Sequence, residues 1–194
     1  LDEQQQVIEN TDLAQHYKVR EFNDLDQALA DKPDIAFITN PSQHHVNVAI
    51  KAAQAGCHLF IEKPLSVDTD RIDELMDLVH RKKLTAMVAY QFRFHPGFAQ
   101  ISQWLKNNEL GQPLSATLVQ GDYLPQWHPY EDYRASYASR KELGGGVLLT
   151  QIHEFDNALH LFGLPRRIFA LGGKLSQLEI DVEDTASVLM ECEC

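Results

Sequence analysis

The sequence predicts an α/β chain in two parts: a parallel sheet with crossover helices over residues 1–90, then an α+β part over 91–194 built on an open, mainly antiparallel sheet. Three observations carry that expectation. Short apolar runs alternate with helix-period stretches through the first ninety residues, the alternation stops after Tyr90, and two longer half-apolar runs close the chain.

Lys18 to Phe22 reads as a first short strand. Ile35-Ala-Phe-Ile-Thr39 is an apolar run that leads through Asn40-Pro41-Ser42 into Val46, Ala49, Ile50 and Ala53 at helical spacing, so strand, turn and helix follow in order. The unit repeats. His58 to Ile61 is a strand, Pro64 to Asp68 a turn with Asp68 as helix cap, and Ile72, Leu75, Met76 and Val79 mark one helix face before a third strand at Thr85 to Ala89. Phe98, Ile101 and Leu105 mark a helix, and Leu114 to Gly121 reads as a half-polar strand. Residues 122–146 are rich in Tyr, Trp, His, Asp and Arg without a sustained period, the composition of a binding loop. Ile152, Phe155, Leu159 and Phe162 mark a further helix, stopped by Gly163 and Pro165. Arg167 to Gly172 and Ala186 to Glu193 read as neighbouring strands.

Composition narrows the function. Seventeen basic against twenty-eight acidic residues give a formal charge of −11, which repels phosphate backbones and anionic lipid. Nucleic acid and membrane partners are not expected. Three cysteines, Cys57, Cys192 and Cys194, are too few for a disulfide framework, and a reducing cytoplasm fits them. The first residues, Leu-Asp-Glu-Gln-Gln-Gln, carry no secretory pattern, and no apolar stretch approaches a membrane span. With no initiator Met, and with Met190-Glu-Cys-Glu-Cys194 stopping inside a strand pattern, both ends look cut.

In an open parallel sheet, ligands sit beyond the carboxyl ends of the strands. Thr39-Asn40-Pro41 and Glu62-Lys63-Pro64 occupy that position and are expected to line one crevice. A lysine held extended by Pro64 can donate to a substrate hydroxyl or shuttle a proton; position alone equally fits a solvated strand-end lysine. After Gly144 to Gly146, the residues Thr150, His153, Asp156 or Asn157, and His160 recur on one helix face opposite the apolar stripe. His153 is placed to take a proton near neutral pH, though a lone histidine also fits a solvated face, the reading adopted for His160. Metal is not expected. His153-Glu154 opens like a zincin helix but Asn157 stands where the second histidine should be, and the adjacent His44 and His45 diverge on a helix. No Gly-x-Ser-x-Gly elbow supports a hydrolase.

With these residues placed, the chain resembles the Gfo/Idh/MocA family, the relatives of glucose-fructose oxidoreductase and inositol dehydrogenase. Thr39-Asn40-Pro41 with His44 resembles its Thr-Pro-x-x-x-His loop, with Asn40 inserted. Gly56-Cys57-His58 through Glu62-Lys63-Pro64 resembles its Gly-x-His-Val-x-x-Glu-Lys-Pro signature, Gln91 to Pro96 its Asn-x-Arg-x-x-Pro segment, and Gly144 to Asp156 its Gly-Gly-Gly to His-x-x-Asp segment. The resemblance implies a partial Rossmann-like domain that takes NAD or NADP, joined to a sheet domain that often builds a homo-oligomer, a dimer or tetramer. It implies hydride transfer at a secondary alcohol of a sugar or polyol. Lys63 and His153 would be catalytic. Thr39, Asn40, Pro41, His44, Glu62, Lys63, Pro64, Gln91 and Arg93 would border the cofactor, and Arg93, Tyr123, Trp127, His128, Thr150 and His153 the substrate. The stretch from Tyr123 to Arg134 resembles a subgroup associated with surface-polysaccharide and acidic-sugar pathways.

Two departures qualify the resemblance. Thr150 stands where many relatives carry an aspartate that supports the histidine, and no Gly-x-Gly-x-x-Gly occurs among the ten glycines, so the pyrophosphate cradle is missing. A piece of a longer protein or a natural remnant is expected on that ground, and a non-catalytic sensor that keeps the scaffold is the rival to an enzyme.

Overall fold

A computed structural model describes residues 12–193; the expectations that fall on residues 1–11 and on Cys194 lie outside the described residues. Three strands, β1 (Ile35–Ile38), β2 (His58–Ile61) and β3 (Ala86–Val88), form a parallel sheet in the order β1-β2-β3. Ile38 pairs with Ile61, and Ile61 with Val88, so all three strands deliver their carboxyl ends to one edge. Helices α3 (His45–Ala55) and α4 (Ile72–Lys82) are the crossovers.

Alternation along the strands decides what is covered. Ile38, Leu59 and Ile61 point to the helical side, where Val46, Ala49, Ile50, Ala53, Leu75 and Val79 close over them to form the core. Alanines at 49, 52 and 53 let α3 lie close to the sheet. The opposite face is left open: Phe37 is 68% exposed and tilts against Phe60 at 5.2 Å between ring centroids.

Several local expectations are corrected. Lys18 to Phe22 is not a strand, because Lys18 adopts a left-handed conformation that ends helix α1 (Leu13–Tyr17), and the Val19 amide donates back to Ala14. The short helix α2 (Leu25–Ala30) was not anticipated, although Asp24 caps it by accepting from the Gln27 amide. Asp68 accepts from the Asp70 amide in its own turn and does not cap α4, whose preceding residue is Arg71. Met76 lies on the exposed side of α4, and Leu78 takes the buried place.

Beyond Tyr90 the expected helix is α5 (Pro96–Lys106), opened by Pro96 in its first turn. Leu114 to Gly121 joins no sheet, and Leu114 is 93% exposed. A strand needs a ladder partner, and among the described residues none pairs with this segment. The loop 122–146 contains a short helix α6 (Leu124–Trp127) and 3₁₀ turns at Tyr137–Ser139 and Lys141–Leu143. After the glycines come two helices, α7 (Val147–Thr150) and α8 (His153–Phe162), the second closed by Gly163. Strands β4 (Pro165–Gly173) and β5 (Thr185–Cys192) form an antiparallel pair with Ile168 opposite Met190.

The two sides of α8 are reversed relative to an ordinary surface helix. His153, Asp156 and Asn157 are buried, whereas Phe155, Ala158 and Phe162 line an open groove of about 700 Å³ between residues 113–120 and β5. Burial predicts where substitution hurts. Ile61→Ala should lower stability by about 3 kcal/mol, while Phe37→Ala should cost under ~1 kcal/mol; urea unfolding of the two variants measures the contrast.

Candidate active site

The loops leaving β1 and β2 are joined by a buried histidine, His45, 1% exposed. Its Nδ1 lies 2.7 Å from the Pro64 carbonyl oxygen and its Nε2 2.7 Å from that of Asn40. The sequence reading chose His44, which is exposed on the 3₁₀ turn Ser42–His44. Counting the Pro-x-x-x-His spacing from Pro41 arrives at His45, so the spacing itself held the signal. Thr39 and Asn40 lie exposed at the end of β1 with Pro41 partly covered, while Glu62 accepts from the Lys63 amide at 3.1 Å and the Lys63–Pro64 bond is cis.

From this crevice Lys63 reaches the second half of the chain. Its Nζ donates to the Thr150 carbonyl oxygen at 2.8 Å, three residues before His153. Glycine makes that approach accessible. A Cβ on Gly145 would stand 2.5 Å from the Tyr137 carbonyl oxygen, and one on Gly146, which has φ of +102°, would collide with the Glu183 carboxylate. The chain therefore turns tightly into α7 beside the lysine.

The Thr150 hydroxyl donates to the Gly146 carbonyl at 2.8 Å inside its own helix, so it neither supports His153 nor faces outward. His153 Nε2 lies 3.4 Å from the Gln91 side-chain nitrogen, and its Nδ1 is buried without a protein partner among the described residues. Phe92 packs edge-on against the imidazole at 4.8 Å, with Tyr90 further off at 6.2 Å. Burial, and then the Lys63 ammonium, push the His153 imidazole below its ordinary value against the opposing pull of Asp156 and Glu62. Burial likewise lowers the Lys63 ammonium, opposed by Glu62 and Glu154. The pair thus combines a neutral imidazole with an ammonium that gives up its proton more readily than a solvated one.

Arg93 is committed elsewhere. Its Nε and Nη2 donate to the two carboxylate oxygens of Asp156 at 2.9 and 2.5 Å, a bidentate pair in which Asp156 is 6% exposed. This pair fastens the 3₁₀ turn Gln91–Phe94 to α8, and the sequence reading missed Asp156 as its partner. Tyr137 also went unnoticed, although burial and the nearby Glu62 raise its phenol. Tyr123 and Trp127 line a separate cavity of about 740 Å³ that includes Thr150 but neither Lys63 nor His153. His128 stacks on Trp127 at 4.4 Å and pairs with Glu131.

Residues 2–90 match the family model described as an oxidoreductase family with an NAD-binding Rossmann fold, and residues 98–194 match the GFO/IDH/MocA C-terminal domain. The chain belongs to the GFO/IDH/MocA family. It is 31% identical to the levoglucosan dehydrogenase of Pseudarthrobacter phenanthrenivorans over 71% of this chain and 35% of that protein. It is 31% identical to the D-glucoside 3-dehydrogenase of Escherichia coli over 71% of this chain and 38% of that protein. The crystal structure of the WlbA dehydrogenase from Bordetella pertussis, in complex with NADH and UDP-GlcNAcA, shares the fold at a TM-score of 0.74 and 21% identity, covering 92% of this chain and 55% of that one. The chain spans between 35% and 48% of the length of the curated relatives it matches.

The histidine environment has a measurable consequence. With the folded value lowered, both states are neutral above about pH 6.5, and on acidification the unfolded chain takes up the proton first, so stability falls from about pH 6.5 downward. His153→Asn should lose less stability than wild type between about pH 7.5 and 5.5, read by thermal unfolding at the two pH values.

Proposed function

We propose that this protein is an oxidoreductase that interconverts a secondary alcohol and a ketone on a sugar or sugar derivative, with NAD or NADP as hydride partner. The observation that carries the reading is the contact of the Lys63 ammonium with the Thr150 carbonyl, which brings Lys63 beside the helix that starts with His153. The names of the relatives, dehydrogenases of levoglucosan and of D-glucosides, support a sugar.

The residues present fit the nicotinamide end of a dinucleotide. Thr39, Asn40, Pro41, Glu62 and Pro64 stand at the carboxyl ends of β1 and β2, where a ring would lie, and Gln91 approaches His153 from the end of β3. Among the described residues no glycine-rich turn follows a strand to cradle a pyrophosphate. A bound nicotinamide would supply or accept the hydride. Lys63 hydrogen-bonds the reacting oxygen and stabilises the negative charge that develops on it, and His153, neutral before reaction, takes the hydroxyl proton as hydride leaves the carbon and the carbonyl forms. In the reverse direction the imidazolium returns that proton.

The division into a cofactor part over 1–90 and a substrate part over 91–194 follows from this reading. So does a homo-oligomer, dimer or tetramer, for which the exposed apolar side chains of the β4–β5 pair, Ile168, Phe169, Leu171 and Leu189, offer a surface. The low cysteine count supports a cytoplasmic setting. A non-catalytic dinucleotide or sugar sensor is the second reading, favoured by the Thr150 hydroxyl turning onto Gly146 and leaving His153 without a carboxylate at that position.

Lys63→Ala and His153→Ala should each lower sugar-dependent turnover of the nicotinamide by about 10²-fold or more while NADH binding by fluorescence stays close to wild type. Turnover near wild type in either variant removes that residue from the chemistry. Saturable NADH binding by the wild-type chain without turnover of any sugar would establish the sensor instead.

A further inference from the structure

The helical turn that receives Lys63 is held from outside. α7 is four residues long, and its amides at Thr150 and Gln151 donate to Gly146 and Val147 at 2.9 Å each. A single turn is unfavourable by itself, because few hydrogen bonds offset the backbone order it requires. It also breaks at once. The Glu154 amide, which in an unbroken helix would donate to the Thr150 carbonyl, donates to that of Gln151 at 3.4 Å. The Thr150 carbonyl is thereby left to the Lys63 ammonium, 2.8 Å away.

The support comes from the loop between β4 and β5. Amides in the first turn of a helix have no acceptor within it, and the first two of α7 both end on one residue. Val147 donates to the Glu183 main-chain carbonyl at 3.0 Å, and Leu148 to Glu183 Oε1 at 3.1 Å. Glycine at 146 gives the carboxylate its place, since a Cβ there would stand 2.3 Å from Oε1. The residues around Glu183 are themselves fixed. Asp184 accepts from the Leu175 amide at 2.8 Å and from the Ser176 amide and hydroxyl at 3.1 and 2.6 Å, and despite burial these donors hold its carboxyl at about 2. On the other side Val182 is buried, and Asp181 accepts from the Lys141 amide at 2.8 Å. Charge has the favourable sense too, with a carboxylate at the amide end of the turn and an ammonium at its carbonyl end.

We infer that Glu183 is a positioning residue for Lys63: it holds α7 at its amide end and so fixes the Thr150 carbonyl that directs the lysine ammonium. Its bearing on turnover rests on the oxidoreductase reading, whereas the geometry it sets does not. One hydrogen-bonded path then joins the β4–β5 loop to the crevice at the end of β2.

The full chain carrying lysine enriched in heavy nitrogen tests this by NMR, without cofactor or sugar, through exchange of the Lys63 ammonium protons with water. The Lys63 signal is assigned by its loss in Lys63→Arg, and in wild type it should exchange more slowly than that of a solvated lysine. Glu183→Ala should speed this exchange about fivefold or more. Glu183→Gln, whose side-chain oxygen still accepts from Leu148, should stay within about twofold of wild type. The Leu59 amide, which donates to Thr85 at 2.9 Å in the first half of the chain, should exchange at the same rate in all three. Four results each overturn the inference: equal Lys63 exchange in wild type and Glu183→Ala, Glu183→Gln behaving as Glu183→Ala, a wild-type signal as fast as a solvated lysine's, or a Leu59 amide that quickens in step with Lys63. Failure of the oxidoreductase reading shows separately, as turnover unchanged in Lys63→Ala and His153→Ala.

Discussion

One buried ring governs how the chemistry-bearing loops are spaced. His45 sits in the first turn of α3 with a carbonyl oxygen from the β1 loop at one nitrogen and a carbonyl oxygen from the β2 loop at the other. Because α3 is itself anchored by its alanines on the sheet, the ring holds Asn40 and Pro64 at a set distance. The direction in which Lys63 leaves the crevice follows from that, and its contact with Thr150 in turn orients the start of the helix bearing His153. A buried polar group satisfied on both sides has few alternative positions, which gives the arrangement its definition.

The parallel sheet was legible because β1, β2 and β3 are short apolar runs whose intervening helices keep a clear period. The segments that departed from expectation depend on partners. Leu114 to Gly121 has the alternation of a strand, but alternation specifies a face and not a neighbour, and without a ladder the segment stays irregular. Lys18 to Phe22 fails for a local reason, since its backbone is spent closing α1. At the candidate site, strand-end position and a glycine-rich turn nominated Lys63 and His153, each beside the alternative of a solvated side chain, and the family resemblance joined them into one proposal. The roles of Asp156 and His45 were not legible, because the first needs a contact with Arg93 across 63 residues and the second was hidden beside another histidine.

Helix α8 shows how a periodicity argument can find an element and misplace its faces. Of the apolar stripe Ile152, Phe155, Leu159 and Phe162, Phe155 and Phe162 border the groove beside β5, while His153, Asp156 and Asn157 from the other side face inward. Burying His153, Asp156 and Asn157 is tolerable only because Arg93 matches the carboxylate. The cost of desolvation then becomes a chemical property, since it keeps the imidazole neutral.

The open face of the parallel sheet and the uncovered β4–β5 pair leave large apolar side chains, among them Phe37, Phe169 and Leu189, in contact with water on a chain of net charge −11. Mutual repulsion between copies opposes indiscriminate sticking of such faces, and repulsion of that kind has a range. It extends about 10 Å in 0.1 M salt and shrinks to about 3 Å in 1 M salt. Colloidal behaviour should therefore turn on ionic strength more than on temperature, with light scattering rising as salt is added and apolar faces meet before charge can separate them.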